Sequence, residues 1–320
     1  MLMFALSIYN AKAQNSKSNF IPTKQSIPFK IIIGELNGMK GNYEAHYKII
    51  AQQTPEFPYD VILEKDASFC FFINLYIKAI DTNVFKYVRF SSKEEENLYR
   101  KLLVLNQERS VNNKINVKSI DIEHSNNFQT CVNAIYYMIS QVSNESIQRI
   151  TDTIYNNPNI ATHLKANDLL RIIDSTRLSY LITHDSVLQE IRNNLKTTLS
   201  FSTPYTKYWY KKREKTLPKL FYKATYKSDR FCLITQTLHM PKSGTRKAFL
   251  KKVELEKLGI VSIYPIYFNR YSSKQYKKSF YCTHPKNPFF FYPKKAQEFS
   301  SKKGTWLLSN KEKYYLIVSN

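Results

Sequence analysis

The chain has 320 residues, 43% of them apolar and 23% charged, which is enough apolar content for a core and too little charge bias for a disordered polymer. No apolar run approaches the ~18 residues that a membrane-crossing helix needs. Only 6 glycines argue against phosphate-cradling loops and glycine-turned repeats. The net charge of +23 is uneven: residues 1–200 carry 22 Lys and Arg against 19 Asp and Glu, whereas residues 201–320 carry 26 against 6. A cationic final third suits an anionic surface or polymer as partner. The 37 Lys against 11 Arg, with abundant Asn, Ile and Tyr, equally fit AT-rich coding.

At the N-terminus a short apolar stretch, Leu2 to Tyr9, runs into Ala11-Lys12-Ala13, the small-residue spacing that signal peptidase accepts. The expectation is a signal peptide over residues 1–14 and a periplasmic or secreted protein. A buried N-terminal strand or helix is the competing reading. Phe29 to Ile33 is a continuous apolar run between Pro28 and Gly34, the pattern of a fully buried parallel strand. A helix is expected from Met39 to Gln53, stopped by Pro55 and Pro58, then a strand over Tyr59 to Leu63 and an aromatic-rich helix over Ala67 to Ile80. Ser92 to Arg109 begins close to a capping box and continues as an amphipathic helix. Val117 to Ile122 reads as a third strand.

Residues 127–194 show helical periodicity, and Tyr205 to Tyr226 extends it despite Pro218. Arg230 to Thr235 reads as a strand, Arg246 to Leu258 as a helix ended by Gly259, and Val261 to Phe268 and Tyr314 to Val318 as strands. Residues 270–303 are irregular, basic and aromatic. Strands alternating with helices predict an α/β fold: a mostly parallel central sheet flanked by helices, with a long helical insertion at about 127–226 before the fourth strand. Residues 15–320 are expected to form one such domain, with a basic aromatic C-terminal region at about 270–320. The four cysteines form no C-x-x-C; export would allow up to two disulfides, while their apolar surroundings favour buried free thiols.

In open parallel sheets, ligands bind beyond the carboxyl ends of the strands. Those ends present Glu35, Glu64, Glu123 and His239, which the strand order is expected to bring to one rim. Carboxylates and an imidazole crowded together have their pKa values pushed apart, which suits acid–base work or metal binding. His46 reads as a surface or packing residue of its helix. No G-x-S-x-G, P-loop or dinucleotide fingerprint is present.

The same segments carry a family resemblance. Ile31-Ile32-Ile33-Gly34-Glu35-Leu36-Asn37-Gly38 resembles the opening motif of the erythromycin-esterase-like and ChaN-like superfamily, where a buried strand ends in Gly-Glu-x-His-Gly. Val61 to Glu64, Phe72 to Ile77, Val117 to Glu123, Lys212-Arg213-Glu214 and Ile234 to His239 resemble further family segments in the same order, over residues 28–268. The resemblance implies an α/β sheet with helical additions. It also implies a strand-end site comprising Glu35, Asn37, Glu64, Glu123, Arg213, Glu214 and His239. Family members include esterases that open a macrolide lactone with a histidine base, haem-binding proteins and metal-dependent peptidases. No cofactor is required by the residues themselves; haem or a divalent metal is what the resemblance adds.

The family's first histidine is Asn37 here. An amide neither takes a proton nor binds a metal near neutral pH, although it can donate to a developing oxyanion. Three functions therefore compete. The first is an exported hydrolase-like protein with altered or lost catalysis. The second is a non-catalytic protein holding haem or another anionic small molecule in the strand-end cleft. The third is an anionic-polymer or nucleic-acid binder using the interleaved cations and aromatics of Tyr205 to Arg213. Export would set nucleic acid aside.

Overall fold

The computed structural model describes residues 29–35, 41–123, 128–139, 145, 149, 152, 162–177, 184–201, 207–236, 239–240, 249–253, 255, 258–268, 304–310 and 313–319. The proposed signal peptide, Asn37, His124 and residues 270–303 lie outside them. The chain divides into two compact units, one built from Met1–Tyr59 with Asp229–Asn320, the other from Asp60–Ser228.

The discontinuous unit contains β1 (Lys30–Glu35), helix α1 (Asn42–Ala51), β4 (Phe231–Gln236), β5 (Val261–Phe268), β6 (Gly304–Asn310) and β7 (Lys313–Ser319). Its strands follow the order β4-β1-β5-β7-β6. The first four run parallel, with Ile31 opposite Cys232 and Val261, and Ile263 opposite Tyr314. β6 closes the edge antiparallel to β7, with Gly304 opposite Ser319. The central strand needs apolar side chains on both faces, and Ile31, Ile32 and Ile33 are all fully buried. Gly41, at φ +87°, supplies the left-handed turn that starts α1, a conformation that costs a side-chain-bearing residue about 1–2 kcal/mol. The buried face of α1 is Asn42, Ala45, His46, Ile49 and Ile50, the i, i+3, i+4 pattern of a helix packed on one side.

The continuous unit runs β2 (Tyr59–Leu63), α2 (Ala67–Ile77), α3 (Lys93–Gln107), β3 (Ile115–Ser119), α4 (Phe128–Ile139), α5 (Thr162–Arg177), α6 (Asp185–Leu199) and α7 (Lys207–Thr225). β2 and β3 are neighbours. Helix α2 is buried on nearly every side, as its mostly apolar sequence demands, and packs against α3, α4, α6 and β3. Asp66 caps α2 by accepting the Phe69 N–H, and Ser92 caps α3 through the Glu95 N–H. Glu95 in turn accepts from the N–H and hydroxyl of Ser91. Aromatic rings fill the space around α2, Phe72 stacking on Tyr87 and Tyr76 on Phe85. Helix α7 continues through Pro218, with Leu217 and Phe221 buried on either side of it.

Two asparagines act as a surrogate strand for β3. Asn74 Nδ2 donates to the Val117 carbonyl at 2.7 Å, and its Oδ1 accepts the Val117 N–H at 2.8 Å. Asn106 does the same two residues earlier, donating to the Ile115 carbonyl at 3.1 Å and accepting the Ile115 N–H at 2.7 Å. A side-chain amide offers the same donor and acceptor pair as a peptide group, so it satisfies backbone that would otherwise be stranded in the core. Asn106→Leu should therefore destabilise the protein by about 2 kcal/mol, because it strands both groups of Ile115 and the donor's second acceptor, the Ile77 carbonyl. Chemical denaturation checks this, and a change under half that size would contradict it.

The α/β class with a mostly parallel sheet and flanking helices is the class expected from sequence. The helices before the fourth strand are α4 to α7. Three local readings differ. β3, Ile115–Ser119, starts two residues and ends three residues earlier than Val117 to Ile122, and buried Ile115 and Val117 alternate with half-exposed Asn116 and Lys118. Within the expected helix 246–258, the described residues form only a short 3-10 turn, Phe249–Lys252. Leu255 is buried six positions after Phe249, on the wrong side for a helix face. β6, Gly304–Asn310, has no counterpart among the strands expected from sequence.

Candidate functional site

In the continuous unit the site centres on Arg213, which α7 projects toward the residues following β2 and β3. Arg213 Nη2 donates to Glu64 Oε1 at 2.8 Å, Nε donates to Asp121 Oδ1 at 2.8 Å, and Nη2 also reaches Asp121 Oδ2. The Asp121 contact is the two-pronged fork that guanidinium geometry favours. All three side chains are largely withdrawn from water, with exposures of 12% for Arg213, 8% for Glu64 and 2% for Asp121. Burial alone would lower the guanidinium pKa, but Asp121 and then Glu64 outweigh it and raise the value instead. Glu214 follows, half-buried, on the same helix. Asp121 is further held by its neighbours: its N–H donates to the Lys65 carbonyl, and its own carbonyl accepts from Asn194.

Glu123 lies two residues on and is completely buried. Its carboxyl faces the start of α2, where the Ser68 N–H reaches Oε1 at 3.1 Å and the Ser68 hydroxyl lies 2.8 Å from Oε2. The same hydroxyl is 3.0 Å from Asp66 Oδ1. Burial, then the nearby Asp66, pushes the Glu123 pKa well above the usual carboxylate range, against the opposing effect of the Ser68 bonds. The protonated form of Glu123 is thus favoured relative to an exposed carboxylate, and in that form it can donate to one oxygen of this cluster while Ser68 donates to another. The Cys131 thiol hydrogen-bonds to it as well.

In the discontinuous unit, Glu35 is the last residue of β1 and lies in register with Gln236 of β4. His239 follows Gln236 by three residues, so it stands past the same end of the neighbouring parallel strand. His239 is buried, its ring 5.3 Å from that of Phe249. Glu35 Oε2 lies 3.6 Å from Nε2 of His46. His46 is 1% exposed, and burial lowers its pKa to about 3, so the ring is neutral.

The site residues expected from sequence therefore fall into two sets. Glu64, Glu123, Arg213 and Glu214 belong to one unit; Glu35 and His239 belong to the other, and Asn37 is outside the described residues. Sequence reasoning did not single out Asp121 or Ser68, and it assigned His46 no role. The signal for His46 was its place on the apolar face of α1, between Ala45 and Ile49. Among the described residues no group of three or more His, Cys, Asp and Glu has the geometry to hold a metal ion. The carboxylates of Glu64 and Asp121 are engaged by Arg213, and His46 and His239 are buried rather than open to a haem face. These residues do not fit the haem or divalent metal that the resemblance implies. No described helix is long and apolar enough to cross a membrane.

No protein-family model and no curated protein matches the chain. Solved structures do. A crystal structure of a succinoglycan biosynthesis protein aligns with a TM-score of 0.50 at 13% identity, over 82% of this chain and 76% of that one. A Bacillus cereus protein aligns at 0.49 and 17% identity over 76% and 69% of the two chains. An erythromycin esterase variant in its open conformation aligns at 0.38 and 14% over 67% and 63%. The chain thus has the α/β fold of the succinoglycan biosynthesis protein.

Proposed function

We propose that the protein is a hydrolase-like α/β protein with altered catalysis, acting on a small ester or lactone at the carboxyl ends of its strands. The observation that carries this reading is Glu35. It ends the central strand of the parallel sheet, where open α/β sheets hold their ligands, and its side chain is 19% exposed with one oxygen turned inward. The ordered resemblance of residues 28–268 supports the same reading. In the step proposed, His239 takes a proton from water as the water oxygen bonds to the acyl carbon. The Asn37 amide donates to the oxyanion. The acyl C–O bond then breaks, and the proton passes from His239 to the leaving alkoxide, giving an acid and an alcohol.

His239→Ala should then lower kcat/KM on the order of a hundredfold, the usual cost of a lost general base. Asn37→His should raise activity by returning a second imidazole to the strand end. A panel of simple esters and lactones decides both. Undiminished turnover in His239→Ala would contradict the mechanism. No turnover in the parent or in Asn37→His would favour a protein that binds its small molecule without transforming it.

A further inference from the structure

The buried oxygen of Glu35 has a specific neighbour. Nε2 of His46 stands 3.6 Å from Oε2, brought there from the packed face of α1. The Tyr43 ring meets the imidazole edge-on, with centroids 6.0 Å apart. His46 Nδ1 is buried and has no hydrogen-bond partner among the described residues. A neutral imidazole carries one N–H, and the two nitrogens here are not equivalent. With the proton on Nε2, the donor stands 3.6 Å from a carboxylate oxygen, a charge–dipole distance just beyond a formed hydrogen bond. With it on Nδ1, an N–H is left without an acceptor and a lone pair faces the negative oxygen. The first arrangement is favoured on both counts.

We propose that His46 is a positioning residue for Glu35. It is a neutral Nε2–H donor that fixes Oε2 inward and so turns Oε1 outward, as the oxygen offered beyond the end of β1. The proposal rests on the reading that Glu35 belongs to the reactive site. His46 itself touches no substrate and carries no proton in the reaction. The last torsion of a glutamate has broad, roughly two-fold wells, and misplacing a catalytic group by about 1 Å can cost a hundredfold in rate.

Long-range 1H–15N NMR on the full chain with labelled histidine reads the tautomer directly. The expected parent spectrum shows His46 as a single Nε2–H species, and Glu35→Ala shifts it toward a mixture. In turnover, His46→Leu should lose about tenfold to a hundredfold in kcat with KM little changed, and His46→Gln, which keeps an N–H donor, should recover most of it. An Nδ1–H or cationic His46 in the parent, or a tautomer indifferent to Glu35→Ala, would overturn the proposal whatever the activity. Equal kcat in the Leu and Gln variants, both folded, would also overturn it. If turnover ignores Glu35→Gln while the tautomer remains coupled to residue 35, the hydrolase reading fails and the hold of His46 on Glu35 stands.

Discussion

Replacing Arg213 with Ala is expected to cost roughly 3–5 kcal/mol of stability, the range for removing one partner of a buried charge network. The reason lies in what is left behind. Glu64 and Asp121 are almost fully withdrawn from water, and the guanidinium donates to both. Without it, two carboxylates in a poorly hydrated space lose the guanidinium that bridges them, and Asp121 keeps the Ile122 N–H as a donor. Arg213→Lys should recover the charge but not the two-pronged contact with Asp121, and so fall between the parent and Ala. Asp121→Asn and Glu64→Gln combined with Arg213→Met should cost much less than the sum of the single changes, because the network is then removed rather than broken. Urea unfolding followed by tryptophan fluorescence reads all four proteins. A loss under about 1 kcal/mol in Arg213→Ala would show that the pair behaves like a solvated surface bridge.

Glu123 gives the second large effect, and its sign with pH is opposite to that of a salt-bridged carboxylate. Truncation to Ala opens a cavity and takes the acceptor from the Ser68 N–H, leaving the hydroxyl only Asp66, at a cost of about 3 kcal/mol. Gln fills the space and keeps an acceptor for Ser68, so Glu123→Gln should cost far less. The folded-state pKa of Glu123 lies well above its ordinary value of 4.5, so the folded protein binds this proton more tightly than the unfolded chain does. The contribution to stability is complete below about pH 4.5 and is lost as pH rises through the folded value. Acidification from neutral toward pH 5 should stabilise the parent relative to Glu123→Gln. Thermal unfolding of the two proteins across that range tests it, and parallel curves would show that Glu123 is ionised in the fold.

The parts of this structure legible in the sequence are those where local pattern and burial agree. Tyr59 to Leu63 is apolar except for Asp60 and has sharp ends, and β2 has those same bounds. The Ser92 cap was readable because capping is a contact within one turn. β6 was missed because Gly304 to Asn310 follows a basic, aromatic stretch whose composition hides a seven-residue strand. Asp121 and Arg213 could not be linked, since 92 positions separate them and nothing local marks the fork they form. His46 shows the divide within one residue. Its burial was implied by its spacing from Ala45 and Ile49, but the approach to Glu35 depends on where the helix crosses the strand end, which periodicity does not encode.

The strand order of the discontinuous unit has a consequence for synthesis. Ile31 sits between Cys232 on one side and Val261 on the other, so the central strand gains its first ladder partner only after some 200 more residues have been made. At about 5–20 residues per second, that leaves Ile31-Ile32-Ile33 waiting roughly 10 to 40 seconds beyond its own emergence. During that interval an uncharged, β-branched triplet is unpaired on both edges, which is the composition that seeds intermolecular strand pairing. The residues between, meanwhile, form a compact body of largely local helical contacts, which assembles fast. The nascent chain therefore emerges with its middle able to fold first, before its earliest apolar segment meets its distant partners.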